Sequence, residues 1–178
     1  MESRFPADGR RTRTISIALG LSILAAAFSV QAADALPSSL IPPGNTQPFL
    51  STTATGVQVY SCEYDKDHQL AWTFQHPEAT LYDSTGTAVI QHGAGPAWKR
   101  DDDGSTIKGK LIAQAPSVNA DSIPQLLLSA NAVASGKLAD VRFVQRIDTV
   151  GGVPASKTCS KEHLVGRFPY FAHYVFLK

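Results

Sequence analysis

One short segment stands out for what its residue types could do: His92-Gly93-Ala94-Gly95-Pro96-Ala97-Trp98. Two glycines allow a backbone to approach a ligand or a neighbouring strand closely. A histidine and a tryptophan flanking them could hold and orient a small molecule. The competing reading is a tight bend, with Trp98 a core aromatic and His92 a surface or hydrogen-bonded residue. The bend is favoured, because glycine within strand-like sequence commonly marks one. Arg142 and Arg146 lie four positions apart beside Gln145, so a strand would carry them on one face. Facing into a barrel, two guanidiniums would line a cavity for an anionic ligand. Facing water they are solubilising charges, the default for a residue rarely buried without a partner. A buried arginine would look to Glu78 or Asp148. The ligand-binding candidates are therefore His92, Trp98, Glu78, Arg142 and Arg146.

Other constellations point to less. Glu63, Asp65 and Asp67 alternate, and Asp101, Asp102 and Asp103 are consecutive. Neither set has the spacing of a calcium loop with a distal glutamate, and both read as solvated turns. The histidines at 68, 76, 92, 163 and 173 show no metal-binding spacing. His163 lies four positions after Cys159, which is only a weak hint of zinc. His173 alternates with Phe171 and Val175 and is expected inside as a hydrogen-bonded core residue. No nucleophile elbow, supported Cys-His pair, phosphate loop or dinucleotide fingerprint occurs. No metal and no cofactor is expected, and no catalytic residue is assigned.

The elements that must position these residues are strands. From Gly56 onward, short runs alternate with period two: Val57, Val59 and Ser61 against Gln58, Tyr60 and Cys62, then Leu70, Trp72 and Phe74 against Ala71, Thr73 and Gln75. Ala79 and Leu81 alternate with Thr80 and Tyr82. Asp83-Ser84-Thr85-Gly86 is a turn before a strand at 87–91. Asp101-Asp102-Asp103-Gly104 is a turn joining 97–100 to 106–112, with Gly104 supplying the positive φ of a tight connection. This register puts Trp98 and Ile107 on one core-facing side. Ser122-Ile123-Pro124 before Leu126-Leu127-Leu128 could open a short helix or form a fully buried strand, and a short helix or an irregular crossover is favoured. Residues 138–149 return to period two, with Val141, Phe143, Gln145 and Ile147 opposite Arg142, Val144, Arg146 and Asp148. Residues 170–177 are aromatic on both faces, as in a strand covered on both sides. About eight short strands separated by turns predict an all-β fold, an antiparallel β-sandwich or β-barrel with at most one short helix.

The chain has 178 residues, 43% of them apolar and 17% charged. Its beginning reads as a leader. Arg10-Arg11-Thr12-Arg13 precedes a mostly apolar run at 15–30 that ends in Val30-Gln31-Ala32. A basic start, apolar middle and small residues at the end describe a secretory signal peptide, cleaved after Ala32. The run is short of the roughly 20 residues that span a bilayer. Residues 1–32 are thus read as signal peptide, 33–55 as a proline-rich extended arm, and 56–178 as one β domain. After residue 32 there are 12 Lys+Arg and 13 Asp+Glu, a near-neutral balance that argues against a nucleic-acid partner. Cys62 and Cys159 are the two cysteines. An even count in an exported chain favours a disulfide between them.

Spaced motifs link these segments. They begin with Gly56-Val57-Gln58-Val59-Tyr60-x-Cys62, Trp72-x-Phe74 and Pro77-Glu78-Ala79-x-Leu81-x-Asp83. They continue through His92-x-Ala94-Gly95-Pro96-x-Trp98, Asp103-Gly104-Ser105 and Ile123-Pro124-x-Leu126-Leu127-Leu128. They end with Val144-Gln145-Arg146-x-x-Thr149-x-Gly151-Gly152-x-Pro154 and Cys159. From about residue 36 to the C-terminus, the chain strongly resembles the exported family of domain of unknown function 3455. The resemblance implies a secreted single-domain protein and transfers no catalytic residue.

Two functions compete. The favoured one is an exported, secreted or periplasmic, non-catalytic binding or structural protein of the cell envelope, with a small-molecule ligand as its candidate partner. The alternative is a small-molecule hydrolase or isomerase with a pocket around His92. The absence of a nucleophile–base pair favours the first. Convergence of His92, Glu78, Arg146 and Trp98 on one concavity would support a ligand site.

Overall fold

The alternating runs become strands, except that the run at 138–149 is strand only from Phe143 onward, and the turn signals join neighbours in the same sheet. The computed structural model describes Met1 and residues 36–178; the expected leader and its cleavage point lie outside the described residues. The strands are β1 (Pro48–Tyr64), β2 (Leu70–Tyr82), β3 (Ala88–Gly93), β4 (Ala97–Arg100), β5 (Thr106–Ala115), β6 (Gln125–Ala134), β7 (Phe143–Gly151) and β8 (Val165–Leu177). All pair antiparallel with their sequence neighbours, and β8 returns to β1, so the sheet closes into a barrel. Closure removes the free edges that an open sheet exposes.

Period two then sorts side chains into an inner and an outer set. Leu81, Ile90, Trp98, Ile107, Val144, Tyr174 and Phe176 fill the inside. The β4–β5 hairpin has the expected register, with Trp98 directly opposite Ile107 and both fully buried. Gly104 takes φ +70°, and its N–H donates to the Arg100 carbonyl at 3.1 Å. Gly109 of β5 makes room for the indole: a Cβ there would lie 2.8 Å from the Trp98 ring. At this end of the barrel the 135–142 connection acts as a plug. It buries Leu138 and Val141, while Asp103 and Ser105 accept the N–H groups of Lys137 and Leu138.

Four expectations are corrected. First, Leu126-Leu127-Leu128 belongs to strand β6, neither helix nor crossover. The run is apolar because both faces are covered. Leu128 points into the barrel, and Leu127 packs outside against Leu40 of a 3-10 turn, Ser38–Leu40. That turn is held by Gln145, whose Nε2 donates to the Leu40 carbonyl at 2.7 Å. Second, β1 begins at Pro48, so the last part of the expected arm is strand. Third, the outer face of β8 is covered only toward its end, where Leu177 is buried, and Phe171 is exposed outside. Fourth, His173 shares that outer face and pairs with Asp148 at 3.0 Å, because Tyr174 takes the inward position.

A disulfide joins Cys62 to Cys159, with the Cα atoms 5.9 Å apart. It ties β1 to the long β7–β8 connection. That connection also pairs with the start of β2: the Trp72 N–H donates to the Lys157 carbonyl and the Cys159 N–H to the Leu70 carbonyl. Among the described residues no helix is long and apolar enough to cross a membrane.

Candidate functional site

The strands differ in length, and the difference opens the barrel. β2 pairs with β3 only from Ala79 to Tyr82, and β4 pairs with β5 only from Thr106 to Lys108. The β3–β4 hairpin therefore stops short, while β2 and β5 continue past its tip at Gly95 and Pro96. The gap leads into a cavity of about 480 Å³. That volume lies within the range of small-molecule sites. Phe74 and Leu111 stand at the mouth on opposite flanks, both half exposed, with Gln75 and Gln114 beside them. Ile123, Leu126 and Leu128 supply apolar wall, and Gln58, His92, Trp98, Arg146 and Tyr174 form the buried end.

Strand register explains that convergence. His92 of β3 is directly opposite Trp98 of β4, and the two rings stack at 4.7 Å between centroids. Tyr174 of β8 meets the His92 ring edge-on at 5.3 Å. Arg146 of β7 lies between Leu126 of β6 and Tyr174 of β8 in the same cross-strand row. Gln58 of β1 is 2% exposed and points inward.

The buried end is rich in hydrogen-bond donors. Arg146 is 8% exposed and has no carboxylate in ion-pair range among the described residues. Its Nε and Nη2 donate to the Pro124 carbonyl at 3.3 and 2.9 Å, which binds N–H groups without neutralising the charge. Gln58 Nε2 and Trp98 Nε1 are buried with no hydrogen-bond partner. The Tyr170 and Tyr174 hydroxyls share one bond of 3.2 Å, so one hydroxyl hydrogen is left over. The Tyr60 hydroxyl donates to the Gly152 carbonyl at 3.2 Å.

His92 is the exception. Its Nδ1 lies 2.9 Å from the Ala97 carbonyl, which can only accept, so Nδ1 carries the proton and Nε2 is an acceptor. Burial pushes its pKa down to about 4; the Ala97 bond opposes the shift and the Arg146 charge adds to it. The imidazole is thus neutral near pH 7. Burial also raises the Tyr60, Tyr170 and Tyr174 hydroxyls, with Arg146 acting against it at each. A single guanidinium, ringed by neutral groups, carries the charge of the site.

His92, Trp98 and Arg146 meet, whereas Glu78 and Arg142 do not join them. The default of a solvated Arg146 is overturned: its parity with Val144 directs it inward. Arg142 precedes β7 and is exposed, with its Nη2 near the Asn45 carbonyl at 3.4 Å. Glu78 is on the outer wall because its neighbour Ala79 points inside. There it pairs with Arg167 and with His76, and the Arg167 bond is the main reason its carboxyl is held below the usual range. Neither Glu78 nor Asp148 neutralises Arg146. Gln58, Tyr60, Tyr170 and Tyr174 were not singled out from the sequence, although strand parity pairs Tyr170 with Tyr174. Elsewhere, Glu63, Glu162 and His163 each bring one ligand-type atom within 4.8 Å of the others at the surface. Cys159 cannot join them as a thiolate because it is bonded to Cys62.

The fold and its interior define a closed, eight-stranded antiparallel barrel with a side-opening cavity. The family described as "Protein of unknown function (DUF3455)" matches residues 42–178, and the chain belongs to it. No match was found among curated proteins or among solved structures.

Proposed function

We propose that the protein is an exported, non-catalytic β-barrel of the cell envelope that binds a small molecule in the cavity between β2 and β5. One observation carries this reading: an open, largely apolar cavity whose inner end holds polar donors left without partners. Buried donors without partners are costly in a folded protein, and a ligand that accepts from them removes that cost on binding. Secretion or a periplasmic location is supported by the leader pattern and by the disulfide, which persists in oxidising compartments. The hydrolase or isomerase reading has less support. The cavity lining includes no carboxylate, serine, threonine, cysteine or lysine to act with His92 as nucleophile or second acid–base group.

A neutral fluorescent probe, N-phenyl-1-naphthylamine, tests the cavity. Saturable, blue-shifted emission is expected with the wild-type protein. Leu126→Trp, which fills the wall, and Leu111→Trp, which narrows the exposed mouth, should each abolish it while circular dichroism stays unchanged. No saturable binding, or binding unaffected in both variants, would refute a ligand site here.

A further inference from the structure

We infer that the ligand is a monocarboxylate with an apolar body, its carboxylate seated on Arg146 at the closed end and its body lying toward Phe74 and Leu111. This rests on the cavity being a ligand site, as proposed above, and names the class of molecule it takes.

Arg146 is buried, its bonds run to a neutral carbonyl, and none of the cavity-lining residues is acidic. A buried cation is ordinarily matched by an anion. Here no side chain supplies one, and the open space beside it is where one fits. The unpartnered Gln58 Nε2 and Trp98 Nε1 donors line the same cavity. A planar carboxylate accepts several such bonds at once, and the guanidinium fork matches its two oxygens.

The number of charges narrows the class. One guanidinium and no second cation line the cavity, which suits a single negative charge and leaves a phosphate dianion half neutralised. Between the two ends Ile123, Leu126 and Leu128 form an apolar wall that suits an apolar body, and the polar side chains Gln75 and Gln114 stand only at the exposed mouth. Burial sets the orientation: Arg146 and Gln58 are enclosed, whereas Phe74 and Leu111 are half exposed. An acid therefore enters head first.

Calorimetry with a matched pair, 2-naphthoate and 2-naphthamide, tests the class without any variant. The two differ in charge and hardly in shape. At pH 7 the carboxylate should bind at least about 30-fold more tightly, the scale of a desolvated charge pair. Arg146→Met should abolish this preference, so that naphthoate binds no more tightly than the amide. Inorganic phosphate should not displace naphthoate. Equal affinity of acid and amide would overturn the carboxylate assignment and leave the cavity reading standing. So would displacement by phosphate, or binding of the neutral naphthylamine probe with no binding of naphthoate. Failure of all three organic probes would overturn both readings together.

Discussion

The buried imidazole of His92 makes native stability depend on pH in a defined interval. In the unfolded chain His92 titrates near 6.5, and in the native barrel near 4. Above pH 6.5 the ring is neutral in both states and contributes no slope. As the pH falls below 6.5, the unfolded chain takes up a proton that the native state excludes, so stability falls. Below pH 4 the native ring is protonated too and the loss levels off. One proton withheld costs about 1.4 kcal/mol per pH unit, so the full loss is about 3 kcal/mol. The groups facing the ring are the Ala97 carbonyl, Trp98 from β4, Tyr174 from β8 and the charge of Arg146. No carboxylate is among them to stabilise an imidazolium. Urea melts of wild type and His92→Phe at intervals from pH 7.5 to pH 4 isolate this effect. Phenylalanine keeps an aromatic ring opposite Trp98, and any constant change in stability does not matter, because the readout is slope. His163, whose pKa Glu63 raises, works in the opposite direction: its contribution is present at low pH and is lost as the pH rises. Present in both proteins, it cancels. The wild-type curve should fall away from the variant by about 3 kcal/mol between pH 6.5 and 4. Parallel curves would show that the imidazole titrates as in water, and that the buried end of the cavity is wet.

Two further outcomes test the frame that holds the site. Gly104→Val should destabilise by about 1–3 kcal/mol in urea melts through positive-φ strain, since a Cβ at Gly104 would meet no atom within 4 Å; a loss as small as that of exposed Asp102→Ala would show that the turn relaxes freely. Replacing Cys62 and Cys159 by serine should cost up to about 4–5 kcal/mol in the chain-entropy account of so long a loop, given a separation of 97 residues; a double variant melting with the wild type would show that the β7–β8 connection is held by its backbone bonds alone.

The local facts of this barrel were legible in the sequence. Period-two runs mark half-buried strands because successive side chains point to opposite faces, and turn chemistry fixes where one strand ends. That is enough to place Trp98 opposite Ile107 and to set Gly104 at positive φ. It is also enough to put Glu78 and Ala79 on opposite faces. Period alone does not say which face is inside when both are covered. Leu127 and Gln145 are buried on the outer wall by the turn at Leu40, whose docking depends on residues about 90–105 positions away. The same ambiguity hid Arg146. In a strand reading, arginine on an alternating face defaults to water, and only closure of the sheet turned that face inward beside Tyr174 and His92. Closure depends on β8 pairing with β1, a contact between the two ends of the domain that no local pattern encodes. The cavity is still further from the sequence. It exists because β3 and β4 are shorter than their neighbours, so that the wall is open beside Phe74 and Leu111 while the unpartnered donors stay at the buried end. Chain chemistry determined the strands, the turns and the exclusions; which side chains share an interior was decided by the ring the strands make.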